Sequence, residues 1–147
     1  MSKTLHVNVQ LALLATLLLW GSAAPEAPVA DAAMRDDVPR VRALLRDGAD
    51  VNAAQGDGMT ALHWAAENGN DELARTLVVA GARVDVVTRL GDYTPLHIAA
   101  RKGDAAVTRV LLEAGAEPSL RTSPAGVRPL HYAAASGSAE TVRALLD

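Results

Sequence analysis

The chain has 147 residues, half of them hydrophobic but only 3% aromatic, with no phenylalanine, no cysteine and a formal charge of −3. That is one domain's worth of chain. The missing cysteines exclude disulfides, thiolate metal ligands and cysteine nucleophiles, and the acidic balance argues against a general nucleic-acid binder, which neutralises phosphates with a basic excess.

The N-terminus carries an address. Lys3 precedes an apolar run from Leu11 to Trp20, and the small residues Gly21-Ser22-Ala23-Ala24 follow. This is the layout of a secretory signal peptide over residues 1–23, with export to the periplasm or the medium and cleavage after Ala23. The run is short for a membrane span, which needs about 20 apolar residues; an uncleaved membrane anchor is the alternative. Cleavage would leave residues 24–147 with 13 basic and 17 acidic side chains, a net of −4.

Beyond the leader the chain rewrites one segment. Thr60-Ala61-Leu62-His63-Trp64-Ala65-Ala66 returns as Thr94-Pro95-Leu96-His97-Ile98-Ala99-Ala100 and again as Arg128-Pro129-Leu130-His131-Tyr132-Ala133-Ala134. Gly69, Gly103 and Gly137 close the three copies, and Gly-Ala recurs at Gly48-Ala49, Gly81-Ala82 and Gly115-Ala116. A fixed period of this size signals stacked repeats, and T-P-L-H-x-A near 33 residues is the ankyrin signature. From about residue 27 to the last, the chain resembles the ankyrin-repeat family. The resemblance implies an all-α repeat solenoid of about four helix-turn-helix repeats joined by β-hairpin loops, at roughly 27–49, 50–82, 83–116 and 117–147. An alanine–leucine core with few rings suits such thin, closely stacked helices.

The first repeat reads as a degenerate cap: Pro28 suits a first helical turn, while Asp31 stands where the other repeats are apolar and Arg35 where two of the three others are neutral. Asp36 takes the place of the closing glycine, Asp37 caps the second helix, and Pro39 lies in its first turn. Val41, Leu44 and Leu45 give its inward stripe, and Gly48 ends it in a left-handed conformation. The second repeat places helices near Ala61–Asn68 and Asp71–Val79, with Asn70 as the cap between them. The third places them near Pro95–Lys102 and Ala105–Glu113, capped at Asp104. In the fourth, Ser138 caps a helix near Ala139–Leu146. The connecting loops are Asp50–Met59, Val84–Tyr93 and Pro118–Val127, and Gly91 sits one place early, so the third repeat's tip is expected to be atypical. The last repeat carries no polar outer cap, so Leu130, Ala133, Val142 and Leu145 are expected to face no neighbour. That suggests a fragment of a longer array, or self-association through this end.

No residue set points to catalysis. Equivalent histidines of stacked repeats lie about 8–10 Å apart, whereas zinc holds each nitrogen at about 2.0–2.1 Å, so His63, His97 and His131 do not form a metal site. The resemblance instead implies hydrogen bonds to neighbouring loop backbone and to the threonine hydroxyl, the latter in doubt at Arg128. Phosphate-cradling loops, the metalloprotease helix motif and the nucleophile elbow are missing. No enzyme, no cofactor, no metal and no small-molecule substrate is expected.

The residues the repeats leave variable mark a binding surface. On the first helices, Trp64, Glu67 and Asn68, then Ile98, Arg101 and Lys102, then Tyr132 share one face by i, i+3 and i+4 spacing, opposite the buried Leu62, Ala65 and Ala66. An apolar ladder of Trp64, Ile98 and Tyr132 is thus expected along a concave strip, extended by Asp57, Met59, Arg89, Leu90, Tyr93, Arg121 and Val127 of the loops. Trp, Tyr and Arg are the types enriched at binding hot spots. Residues 24–72 carry four basic and ten acidic side chains, a net of −6, while residues 73–147 carry nine and seven, a net of +2. The basic end suits an acidic protein patch. The reading is a protein–protein interaction scaffold, the alternative a targeting module of a longer enzyme or envelope assembly.

Overall fold

The computed structural model describes residues 26–147; the leader expected over residues 1–23 lies outside them. Eight helices follow in four pairs: α1 Pro28–Met34 and α2 Val38–Arg46, α3 Ala61–Asn68 and α4 Asp71–Val79, α5 Pro95–Lys102 and α6 Ala105–Glu113, α7 Pro129–Ser136 and α8 Ala139–Leu146. The two helices of each pair pack on each other. No strand forms among the described residues, so the loops are hairpin-like turns instead of the expected β-hairpins.

Local chemistry sets these boundaries. The carboxylates of Asp37 and Asp104, the amide oxygen of Asn70 and the hydroxyl of Ser138 each accept the backbone N–H three residues on, satisfying a donor that has no partner within the helix. At the other end Ala49, Ala82 and Ala116 donate to Leu44, Leu77 and Leu111 five residues back, across Gly48, Gly81 and Gly115 at φ of 83°, 91° and 88°. This is a Schellman close, and its left-handed residue is why the Gly-Ala pairs recur. The early Gly91 leaves Asp92 in a left-handed turn at φ 51°, and Asp36 occupies the closing-glycine place at φ 55°.

The first helices stack in register, α1 on α3 on α5 on α7. Alanine pairs make that close approach possible: Ala65, Ala66, Ala99 and Ala100 are fully buried. Leu62, Leu73, Leu77, Leu96, Leu111, Val41 and Val107 fill the layer between the two rows of helices. In the outer row α4 packs on α6 and α6 on α8, whereas α2 stands off α4. Along that outer row runs a ladder of equivalent arginines that the sequence reading passed over. Arg42 meets Glu72, Arg75 meets Glu113 at 3.8 Å, and Arg109 meets Glu140 at 3.1 Å, each reaching one repeat onward.

The fourth repeat corrects one expectation. Ala133 is fully buried and Leu130, Val142 and Leu145 are half-buried, because they face back toward the third repeat and their own partner helix. The residues left open are His131, Ala134 and Leu146, whose forerunners His97 and Ala100 are buried.

Candidate functional site

Buried histidines hold the loops in place. Nδ1 of His63 lies 3.1 Å from the Thr60 amide and 2.8 Å from its hydroxyl, while Nε2 lies 3.0 Å from the Tyr93 carbonyl. A backbone N–H can only donate, so Nδ1 is the acceptor and Nε2 carries the proton given to the carbonyl. His97 repeats the pattern with Thr94, and its Nε2 lies 3.1 Å from the Val127 carbonyl and 3.2 Å from that of Leu120. His131 keeps only the Arg128 amide, at 3.0 Å; the hydroxyl contact is lost with the threonine. Burial pushes His63 and His97 below the ordinary imidazole value, and the carbonyl bonds offset it only in part. Both rings are therefore neutral struts, each pinning the loop of the next repeat.

The loops are braced from within and from the side. Asp57 accepts the Met59 amide at 2.9 Å, and the Arg89 amide donates to the Asp57 carbonyl at 2.8 Å. A Cβ on Gly58 would lie 2.8 Å from that Arg89 nitrogen, so only glycine lets the two loops touch. Thr88 accepts the Tyr93 amide at 3.1 Å and donates to the Leu90 carbonyl at 3.0 Å, and Ser123 donates to Gly91 at 3.0 Å. The row of loop tips is thus continuous from the second repeat to the fourth.

Between these tips and α5 lies a cleft of about 250 Å³ lined by Asp57, Met59, Thr88, Leu90, Tyr93, Ile98 and Arg101. Leu90 is 83% exposed at its rim. The Arg101 guanidinium lies 5.7 Å from the Tyr93 ring centre, a cation–π distance, and also binds Glu67 at 2.9 Å. Lys102 reaches the same carboxylate at 3.4 Å. Tyr132 donates to the Tyr93 hydroxyl at 3.1 Å with the rings 5.9 Å apart. That shared hydrogen bond, and then burial, hold the Tyr93 phenol above its ordinary range, so it stays neutral.

Of the residues singled out from sequence, Asp57, Met59, Leu90, Tyr93, Ile98 and Arg101 converge on this cleft, and Glu67, Lys102 and Tyr132 border it through their partners. Others are placed differently. Ile98 is 3% exposed and forms the floor, so the expected open ladder of Trp64, Ile98 and Tyr132 is interrupted at its middle rung. Trp64 is half-buried and gives its indole N–H to Gln55 at 2.7 Å, which in turn binds Asp31 at 2.6 Å. Asn68 donates to the Ala33 carbonyl at 2.9 Å, tying α3 to α1. Arg121 turns back to Gly126 of its own loop at 3.2 Å, while Arg89 stands exposed. Thr88, a lining residue the sequence reading missed, had a signal: Thr122 repeats it 34 positions on, with the same bond to its own loop, Val127 N–H to Thr122 Oγ1 at 3.1 Å.

Comparison with known proteins agrees with this architecture. The family model for ankyrin repeats matches three times, over residues 8–89, 29–122 and 80–147. Similar curated proteins include the mitochondrial disaggregase of Bos taurus, 46% identical over 57 residues (39% of this chain, 8% of that protein), and the potassium channel AKT3 of Oryza sativa subsp. japonica, 44% identical over 69 residues (46% and 7%). The palmitoyltransferase Hip14 of Drosophila melanogaster is 42% identical over 50 residues, which are 34% of this chain and 8% of that protein. The similarity therefore spans under a tenth of each relative's length, and the three relatives are named for different activities.

Proposed function

Because the chain belongs to the ankyrin-repeat family, whose repeats generally mediate protein–protein contacts, we propose that it is a non-catalytic interaction scaffold gripping its partner with the loop tips and the cleft beneath them. The observation that carries this is the braced, half-apolar cleft with Leu90 open at its rim. At about 250 Å³ it falls below the ordinary range of small-molecule sites, about 300–1,000 Å³, and matches one inserted side chain. Tyr93 and Arg101, held by Tyr132 and Glu67, are pre-organised hot-spot types of the kind that limit ordering losses on binding. The partner is acidic where it meets this end: Arg89, Arg101 and Lys102 lie along it, and Glu67 balances one of these charges.

The test is site-specific photo-crosslinking in the native host, with a photoreactive residue at Leu90 or at Glu113 on the outer row. A defined protein adduct from position 90 and none from position 113 is expected; equal adducts from both would overturn the assignment. Reversal of Arg101 and Lys102 to glutamate should weaken that adduct and remove its salt dependence.

A second reading, a targeting module within a longer polypeptide, has one observation in its favour: the relatives carry such repeats as a small part of much longer chains. The proposal extends to export, on the strength of Lys3, the Leu11–Trp20 run and the small residues after it. The intact mass of the protein from its native host tests both. A start near Ala24 supports cleavage and export, an unprocessed Met1 removes cleavage and leaves the uncleaved anchor, and a much larger mass supports the module reading.

A further inference from the structure

The chain has two tyrosines, and they meet. Tyr93 ends the loop of the third repeat, and Tyr132 stands on α7 of the fourth. Met59 and Ile98 hold the equivalent places one repeat earlier, so packing at this joint asks only for apolar bulk. Two phenols bring a chemistry that the stacking does not need. Their hydroxyl oxygens lie 3.1 Å apart while the ring centres are 5.9 Å apart, so the rings converge at their hydroxyl ends. The carbons ortho to each hydroxyl, where the unpaired electron of an oxidised phenol concentrates, therefore flank the point of closest approach. Both rings are half-buried: small oxidants reach them, and each ring's nearest phenol belongs to its own chain. With no cysteine present, no thiolate takes the oxidising equivalents first.

We propose that Tyr93 and Tyr132 are a site of oxidative modification, at which a one-electron oxidant of the peroxide-driven haem class joins the two rings through a carbon–carbon bond between ortho positions. Each phenol is neutral at ordinary pH and gives up one electron and its hydroxyl proton. The two phenoxyl radicals couple at their ortho carbons, and each ortho hydrogen then moves to oxygen, restoring both phenols. The chain loses two electrons and two protons in all, and these reduce one hydrogen peroxide to two waters. The protons leave to solvent. His97 lies 6.2 Å from either ring, but its Nδ1 is occupied by the Thr94 amide and its Nε2 by loop carbonyls. The new bond ties the third repeat's loop to α7 and fixes Tyr93, a wall of the cleft, in place. The coupling does not depend on what the cleft binds.

The purified full chain is treated with hydrogen peroxide and a haem peptide, a catalyst small enough to approach half-buried rings, over a wide range of protein concentration. The expected product is a monomer lighter by two hydrogen atoms that carries the fluorescence of a coupled biphenol. Trypsin, which does not cut before Pro129, should release it as residues 90–101 linked to residues 122–143, in a yield independent of protein concentration. Tyr93→Phe and Tyr132→Phe keep the rings in place, so each should abolish the product while circular dichroism stays that of the parent. Oxygen addition at Met34, 42% exposed, shows in every sample that the oxidant acted. Met34 oxidised with no loss of two hydrogens from the monomer, linked dimers in place of the coupled monomer, or the coupled mass persisting in either phenylalanine variant would each overturn the proposal.

Discussion

Thr94 and Thr108 are both fully buried, yet replacing each by valine should move stability in opposite directions. Valine keeps the size and branching of threonine and its helix propensity, so the substitution isolates the hydroxyl. The Thr94 hydroxyl accepts the His97 amide at 3.3 Å and donates to its Nδ1 at 2.8 Å. Losing two such bonds, at about 1 kcal/mol each, predicts a loss of about 2 kcal/mol, including the N-cap contribution of about 1 kcal/mol. Nδ1 keeps the Thr94 amide, which limits the damage. The Thr108 hydroxyl is equally dry but has no partner among the described residues. Its desolvation is uncompensated, so Thr108→Val should stabilise by about 1 kcal/mol. Urea denaturation of the two variants at pH 7.5 decides the matter. A loss below about 0.5 kcal/mol for Thr94→Val, or a loss of any size for Thr108→Val, would refute the accounting.

Three further outcomes are open to direct measurement. His63 and His97 are held below the ordinary 6.5 by burial, so the unfolded state binds more protons. Their stabilisation is complete above about pH 6.5 and is lost as pH falls through the folded-state values; denaturation midpoints between pH 8 and 5 should drop, and a midpoint rising on acidification would contradict the neutral-strut reading. Leu111→Ala, at a fully buried position, should cost about 2–5 kcal/mol, against under about 0.5 kcal/mol for Leu146→Ala, which is 67% exposed; calorimetry of the pair tests the inward–outward assignment in the last two repeats. A double-mutant cycle on Arg109 and Glu140, 48% and 67% exposed, should return under about 1 kcal/mol, so the outer ladder registers the repeats more than it stabilises them.

The cleft shows how far local signals carry. Asp57, Tyr93 and Arg101 were legible because repeats make the variable positions stand out against the invariant ones. Ile98 was not, because helical spacing gives the face a residue is on but not how deeply the adjoining loop covers it. Glu67 was read as a contact residue, yet it lies 2.9 Å from a guanidinium one repeat away. The open face of the last repeat was misjudged for the same reason: Ala133 and Ala134 are neighbours in sequence, and only the stacking direction buries the first and bares the second.

The sequence by itself determined the period, the helix limits and the caps. Those depend on interactions within four or five residues: Asp37, Asn70, Asp104 and Ser138 accepting nearby amides, and Gly48, Gly81 and Gly115 allowing a left-handed close. Only the tertiary structure decided which equivalent residues meet across repeats. The histidine-to-carbonyl struts, the arginine ladder, the Tyr93–Tyr132 pair and the gap between α2 and α4 all join residues 23 to 39 positions apart or separate helices of successive repeats. Their geometry follows from how closely each alanine-paired layer lets the next approach, and that distance is a property of packed helices, not of any one segment.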